Sequence, residues 1–150
     1  LLGPLSKRLH AIDLFAGTGA MGLEAISRGA ARATMIERHA PTARVIRENV
    51  ETLNVANQTD IVMADAFRWA RENPTSSEAP WMVFCCPPYR FYQERWDDLQ
   101  IMIDGLLERA SPESVFVVEA DQQFDPALLP NADSWRVRDY APARVGILRV

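Results

Sequence analysis

One stretch decides the fold of this chain: Ala11-Ile12-Asp13-Leu14-Phe15-Ala16-Gly17-Thr18-Gly19-Ala20-Met21-Gly22. It combines a short apolar run with a complete G-x-G-x-x-G pattern. This pattern is typical of a tight turn between a strand and a helix whose N-terminus meets a nucleotide-like ligand. Glycine suits such a turn because a Cβ would hinder both positive φ angles and close approach of the ligand. The stretch therefore predicts a strand, a ligand-binding turn and a helix that runs to about Arg28.

Composition places the chain among ordinary globular domains. Its 150 residues are 48% hydrophobic and 24% charged, which predicts one domain spanning residues 1–150. No apolar run approaches the roughly 18 residues needed to cross a bilayer, and no signal peptide opens the chain. Cys85 and Cys86 are adjacent and cannot form a disulfide framework, and with only His10 and His39 beside them we expect no metal site. We expect a cytoplasmic monomer without a membrane partner.

The net charge of −4 argues against a surface that binds nucleic acid everywhere. A local basic face is compatible with this total, because the distribution of charge matters more than its sum. Nearly all the positive charge is arginine. Arginine suits phosphate and base contacts, and it suits intramolecular ion pairs equally well.

Strands and helices alternate along the chain. Apolar patterning predicts strands over 10–15, 33–36, 60–63, 81–86, 114–118, 135–140 and 144–150, and helices from the glycine turn to about 28, from 41 to 53, over 66–72 and over 92–109. Residues 1–9 are interpreted as an entry segment or the end of a helix, and 75–78 as a polar loop. This alternation predicts a Rossmann-like, doubly wound α/β sheet that is mostly parallel and ends in an antiparallel hairpin.

Apolar periodicity also predicts which side chains pack against the sheet. The expected packing residues are Met21, Leu23, Ala25 and Ile26 in the first helix, Val45, Ile46 and Val50 in the second, and Leu99, Met102, Ile103, Leu106 and Leu107 in the fourth.

Acidic residues, a glycine and a proline lie at or near the carboxyl ends of five predicted strands. In such folds, ligands bind beyond these ends. The residues are Asp13, Gly17, Glu37, Asp65, Pro87 and Glu119. Glu37 comes 18 residues after Gly19, near the spacing at which an acid binds ribose hydroxyls. Asp65 fits either an adenine amino group or the N-cap of the next helix. Asp13 fits either the amides of the glycine turn or the ammonium group of a methionine-like ligand.

Pro87-Pro88-Tyr89 is the second strong motif. Two prolines stiffen the chain and remove two backbone donors, which leaves carbonyl oxygens free beside an aromatic ring. Such a motif suits a planar base whose amino group bonds the carbonyls while its ring stacks on Tyr89. The simpler interpretation is a rigid end to the strand with a packing tyrosine.

The motifs together resemble the bacterial small-subunit ribosomal RNA guanine 2-amino methyltransferases, which use S-adenosylmethionine. The likeness covers most of the chain and includes 13–25, 27–30, 36–37, 48–49, 64–66, 87–89, 117–119 and the final hairpin. It implies a seven-stranded methyltransferase sheet, methyl transfer to a guanine 2-amino group, and ribosomal RNA or a small-subunit precursor as partner. It implies cofactor contacts at Asp13, Phe15, Ala16, Gly17, Gly19, Glu37, Arg38, Asp65 and Ala66, and a target pocket at Cys86, Pro87, Pro88 and Tyr89.

The chain departs from the family pattern at two places. Cys86 stands where the family has an aspartate before Pro-Pro-Tyr, and the family's basic N-terminal segment is not found. We expect slow methylation rather than none, and weak binding of RNA. Two alternatives remain open: a cofactor-binding or RNA-binding module with impaired catalysis, and a nicotinamide-dependent oxidoreductase, which would share the glycine motif and the acid after the second strand.

Overall fold

The computed structural model describes residues 3–73 and 78–150, and within them the chain forms a single seven-stranded sheet flanked by helices. The strands are β1 His10–Asp13, β2 Arg32–Ile36, β3 Thr59–Val62, β4 Trp81–Cys85, β5 Val115–Asp121, β6 Arg136–Tyr140 and β7 Ala143–Arg149. The helices are α1 Ala20–Ser27, α2 Ala40–Thr52, α3 Ala66–Glu72, α4 Phe91–Glu94 and α5 Trp96–Arg109.

The strand order is β3-β2-β1-β4-β5-β7-β6. The first five strands are parallel, whereas β7 is antiparallel to both β5 and β6. The predicted Rossmann-like sheet with a C-terminal antiparallel hairpin is therefore confirmed. Because the order reverses between β1 and β4, the carboxyl ends of these two strands form the crevice where such folds bind ligands.

The core lies on both faces of the sheet. One face packs against α1 and α2, through Ala25, Ile46 and Val50. The other face packs against α3 and α5, and it holds the larger cluster around Trp81, Phe116 and Leu106. Strand β4 is buried along its whole length, as expected of a central parallel strand.

Several element ends differ from the predicted ones. Strand β1 ends at Asp13 rather than at residue 15, although the Leu14 and Ala16 amides still donate to the carbonyl oxygens of Phe84 and Ile36 at 3.1 and 2.9 Å. Strands β3 and β4 likewise end one residue early, and β5 continues to Asp121. Helix α3 has the predicted bounds.

Two predicted packing residues and one predicted helix are wrong. Met21 and Val45 are 37% and 38% exposed, because each points away from the sheet; Gly22 and Ala43 are buried instead. The helix predicted over 92–109 is two helices separated at Arg95, whose φ of −136° is not helical. Its expected inward residues are confirmed, with Leu107 partly buried.

The N-terminal residues 3–9 contain turns and no helix. The predicted polar loop at 75–78 falls mostly outside the described residues. Among the residues that are described, no helix has the length and apolar character needed to cross a membrane.

Candidate functional site

A cleft of about 600 Å³ opens at the carboxyl ends of β1, β2, β3 and β4. This volume is typical of small-molecule sites. Its walls come from the glycine turn, from the segments after β2 and β3, and from the proline motif. The lining residues are Leu14, Phe15, Gly17, Ile36, Glu37, Arg38, His39, Ala64, Asp65, Ala66, Cys86, Pro87, Pro88, Tyr89, Arg90 and Phe91.

The three glycines of the turn have different roles. Gly17 has a φ of +56°, and a Cβ built on it would meet no atom within 4 Å, so its backbone faces open space in the cleft. Gly19 has a φ of +87° and precedes α1. A Cβ on Gly22 would lie 2.6 Å from the Met35 Cγ, so this glycine allows α1 to pack closely on β2. Gly17 is therefore the position where a ligand can approach the backbone.

Glu37 connects the glycine turn to the end of β2. Its Oε2 accepts a hydrogen bond from the Gly17 amide at 2.9 Å, and its Oε1 accepts one from the His39 amide at 2.9 Å. These two bonds fix the carboxylate at the cleft wall. A carboxylate has about four acceptor positions, so it retains acceptor capacity for hydroxyl groups.

Asp65 caps α3, because its Oδ1 accepts a hydrogen bond from the Arg68 amide at 3.0 Å. The N-cap interpretation is thus confirmed, and Asp65 also lines the cleft. Beside it, Phe15 and Phe91 belong to an aromatic cluster with Phe67, with ring centroids 5.7 to 6.1 Å apart. The cleft therefore has an apolar wall next to an anchored carboxylate.

Asp13 lies behind the cleft rather than in its lining. It is 1% exposed, and its Oδ2 accepts a hydrogen bond from the Gly22 amide at 3.1 Å, in the first turn of α1. Burial and the nearby Glu37 carboxylate raise the pKa of Asp13 to about 7, although the Gly22 bond opposes this shift. The carboxyl group therefore changes its charge near neutral pH.

The proline motif forms the opposite wall. The Tyr89 hydroxyl donates a hydrogen bond to Glu119 Oε1 at 2.9 Å, and the Tyr92 hydroxyl donates to the Glu119 carbonyl oxygen at 2.7 Å. Burial and the Glu119 bond raise the pKa of Tyr89 to about 12, so the phenol stays protonated. Glu119 thus holds the end of β5 and the proline motif together.

Cys86 is a free, half-buried cysteine close to Glu119. Burial, together with the charges of Glu119 and Asp13, raises the pKa of this thiol well above its usual range. Residue 86 is therefore a neutral, weak acceptor at any physiological pH.

The structure brings most of the predicted site residues into one cleft. Asp13, Ala16 and Gly19 do not line it. Sequence reasoning missed Leu14, Ile36, His39, Ala64, Arg90 and Phe91 as lining residues. All six lie within a predicted motif or at most two residues from one, so their position in the sequence is the signal that could have found them. Within 3–73 and 78–150, no cluster of three or more His, Cys, Asp or Glu side chains could hold a metal ion.

The fold and the cleft define a Rossmann-like domain with the sheet topology found in methyltransferases. A similar fold is found in an RNA methyltransferase from Salinibacter ruber solved with S-adenosyl-L-homocysteine (23% identity, 99% of this chain and 85% of that chain, TM-score 0.72). Another is a SAM-dependent methyltransferase from Agrobacterium tumefaciens (16% identity, 99% and 58%, TM-score 0.76). The chain belongs to the family described as conserved hypothetical protein 95, whose model matches residues 1–148.

Curated relatives support the resemblance seen in the motifs. The chain is 36% identical over 89 residues to the ribosomal RNA small subunit methyltransferase D of Escherichia coli strain K12, and 34% identical over 83 residues to the protein of that name in Buchnera aphidicola from Acyrthosiphon pisum. The matches cover 59% and 55% of this chain, but only 43% and 42% of those relatives. The chain thus spans less than half the length of these curated relatives.

Proposed function

We propose that this chain transfers a methyl group from S-adenosylmethionine to the exocyclic 2-amino group of a guanine in small-subunit ribosomal RNA. The observation that carries the proposal is one cleft in which an open glycine turn, an anchored acid after β2 and a Pro-Pro-Tyr segment face one another. The named relatives support ribosomal RNA as the substrate.

The cleft fits an adenosine-containing cofactor. Gly17 leaves room for a close approach to its backbone, and Glu37 offers a fixed carboxylate for ribose hydroxyls. Asp65 retains Oδ2 for an adenine amino group, with Phe15 and Ala66 against the ring. Asp13 and the turn residues Ala16 and Gly19 hold the turn in place behind the ligand, and Arg38 closes the ribose end.

The bound cofactor supplies a methyl group on a positively charged sulfur, which is already activated for transfer. The chain itself then has to orient the base and stabilise the positive charge that develops on the amino nitrogen, which afterwards loses one proton to solvent. The carbonyl oxygen of Pro87 is the proposed acceptor, and the Tyr89 ring, fixed by Glu119, is the proposed stacking surface. The base must be unpaired or flipped out to reach them.

The two alternative functions, a nicotinamide-dependent oxidoreductase and a binding module with impaired catalysis, predict different structural features. A nicotinamide-dependent enzyme of the Rossmann type has the strand order 3-2-1-4-5-6, whereas this sheet places an antiparallel β7 between β5 and β6. A binding module without catalysis would keep the cleft and the proline motif. Cys86 in the acceptor position is the feature that favours this second alternative.

Methyl transfer from labelled S-adenosylmethionine tests the proposal directly. The purified chain is incubated with small-subunit ribosomal RNA and with small-subunit particles, and the RNA is digested to nucleosides. We expect label in N2-methylguanosine. Label in a methylated adenosine would reject the guanine assignment, and no label in either substrate would leave the binding module as the function.

A further inference from the structure

The C-terminal hairpin carries a cluster of positive charge outside the cleft. A groove of about 240 Å³ lies between β6 and β7 on one face of the sheet. We call its polar rim, Arg136, Arg138, Tyr140 and Arg149, the arginine face. The floor of the groove is formed by Val145 and Ile147.

Strand alternation explains why these side chains share a face. Arg136, Arg138 and Tyr140 are spaced by two residues along β6, which is the edge strand of the sheet. All of β6 is exposed, and Tyr140 is 43% exposed. The sequence pattern predicted the strand, but only the register shows that Arg149 of β7 joins the same face.

The guanidinium groups of the arginine face are unpaired. Among the described residues, Arg136, Arg138 and Arg149 make no side-chain hydrogen bond and no ion pair. On the opposite face of the same hairpin, Arg144 is paired with Asp139 at 2.6 Å. The hairpin thus neutralises the arginine of one face and leaves the other face positively charged.

The sheet register connects this face to the proline motif. Arg138 pairs with Val145, and Val145 pairs with Glu119, which holds the Tyr89 hydroxyl. Two strand spacings, about 10 Å, therefore separate Arg138 from Glu119 along one row of side chains. Glu119 and Asp121 alternate onto the same face of β5, so negative charge borders the row on the side of the cleft.

We propose that the arginine face binds the phosphate backbone of the RNA whose base enters the cleft, an inference that rests on the proposed RNA substrate. Unpaired arginines beside an exposed tyrosine suit phosphates and an unstacked base. The carboxylates of Glu119 and Asp121 repel phosphates, so the backbone stays on the hairpin and only the neutral base crosses to Tyr89. This places a basic face on a chain whose net charge is −4.

The test measures binding of in vitro transcribed small-subunit ribosomal RNA over a series of salt concentrations. Arg136→Gln with Arg138→Gln should weaken binding by roughly tenfold or more and should flatten the slope of log affinity against log salt by about 0.7–0.9 for each phosphate that the protein no longer neutralises. Arg136→Lys with Arg138→Lys should bind nearly as the wild type does, because lysine keeps the charge. Thermal unfolding and S-adenosylhomocysteine titration check that each variant is folded.

Arg44→Gln with Arg47→Gln is the matched control. These two arginines are exposed on α2 and have no ion-pair partner among the described residues, so the change in net charge is identical. We expect nearly unchanged RNA affinity and salt slope in this control.

An equal loss of affinity in the control would overturn the arginine face as a specific surface. Wild-type binding by the Arg136→Gln, Arg138→Gln variant would overturn it as well. A wild type that binds no RNA at any salt, with the face taking up an acidic protein segment instead, would also overturn it. If RNA binding depends on these arginines but no methyl transfer occurs, the proposed activity is rejected and the arginine face remains supported as an RNA-binding surface.

Discussion

At the scale of single residues, Glu37 shows how one carboxylate can serve both the fold and a ligand. Its two oxygens accept hydrogen bonds from Gly17 and His39, so the glycine turn and the segment after β2 share one anchor. A ligand that binds this carboxylate meets a group that is already oriented. Such preorganisation lowers the entropic cost of binding.

Glu37→Ala should weaken S-adenosylmethionine binding by about 1.5–3 kcal/mol, the range of hydrogen bonds to a charged group. Asp65→Ala should cost less, because an adenine amino group can bond water instead. Isothermal titration calorimetry measures both. Unchanged affinity in the Glu37 variant would show that the ribose binds elsewhere.

Cys86 is the residue where chemistry and family resemblance disagree. An aspartate at this position would accept a charge-assisted hydrogen bond from the substrate amino group, whereas the neutral thiol is a weak acceptor. Removal of one preorganised electrostatic partner typically costs about 10²–10³ in rate. Cys86→Asp should therefore raise single-turnover methyl transfer by at least about tenfold.

Glu119 and Asp13 lie near Cys86 and disfavour a further negative charge there, so this gain should increase with pH. Cofactor affinity should stay nearly constant in the Cys86→Asp variant. A wild type as fast as the aspartate variant would show that residue 86 is not an acceptor.

Asp13 links protonation to stability. The pKa of Asp13 is about 7 in the folded chain and 3.8 ordinarily. Its contribution to stability is therefore complete below pH 3.8, declines as the pH rises, and is lost once the pH has passed through about 7. The full shift corresponds to about 4 kcal/mol at most. Asp13→Asn keeps an acceptor for the Gly22 amide and should remove this decline.

Urea unfolding at several pH values checks the Asp13 prediction. We expect the free energy of unfolding of the Asn variant to exceed that of the wild type above neutral pH and to match it in acid. Asp133→Asn, at an exposed site, should leave the pH profile unchanged. Parallel profiles for the wild type and the Asp13 variant would mean that folding does not raise the pKa of Asp13.

At the scale of elements, close contact between α1 and β2 places the glycine turn. A Cβ on Gly22 would lie 2.6 and 2.8 Å from the Cγ and Sδ atoms of Met35, which is fully buried, so the side chain or the helix would have to shift. Gly22→Ala should therefore destabilise the chain by about 1–3 kcal/mol, although alanine is the better helix former.

Gly105→Ala is the matched control for this helix prediction. A Cβ at this position of α5 would meet only the Arg109 guanidinium, at 3.9 Å. This variant should gain up to about 1 kcal/mol from helix propensity. Chemical denaturation of both variants measures the difference. Equal gains would contradict the packing role of Gly22.

The sequence predicted the elements better than their ends and breaks. Helix α3 was predicted with its bounds because a capping aspartate and a later proline mark it. Strand β4 was predicted to within one residue because its residues are apolar throughout. The break at Arg95 could not be predicted, since the apolar spacing continues through it. At the break, the Arg95 guanidinium stacks 4.0 Å above the ring of Phe67 in helix α3, a tertiary contact that apolar spacing does not reveal.

In the candidate site, too, sequence motifs revealed some residues, whereas others are brought together only by the fold. Motif residues such as Gly17, Glu37 and Tyr89 were found because their spacing carries chemical meaning. The arginine face was not found, because its members belong to two strands that only the register brings together. The bond between Tyr89 and Glu119 also depends on neighbouring strands 30 residues apart in sequence.

At the scale of the whole molecule, ligand binding and folding are coupled, because the cleft unites segments that follow four different strands of one sheet. A ligand that binds only the folded chain stabilises it by about 2.7 kcal/mol at a concentration 100 times its Kd. For a domain of this size, each kcal/mol raises Tm by about 2–4 °C. S-adenosylhomocysteine at such a concentration should therefore raise Tm by roughly 5–10 °C.

Differential scanning calorimetry with and without ligand checks this coupling. NAD at the same concentration should leave Tm unchanged, because the proposed ligand of the cleft is an adenosine that carries methionine. The Glu37→Ala variant should show a smaller shift at the same S-adenosylhomocysteine concentration, since its Kd is weaker. A shift of Tm with NAD and none with S-adenosylhomocysteine would reject the methyltransferase assignment in favour of an oxidoreductase, whatever the RNA-binding experiments show.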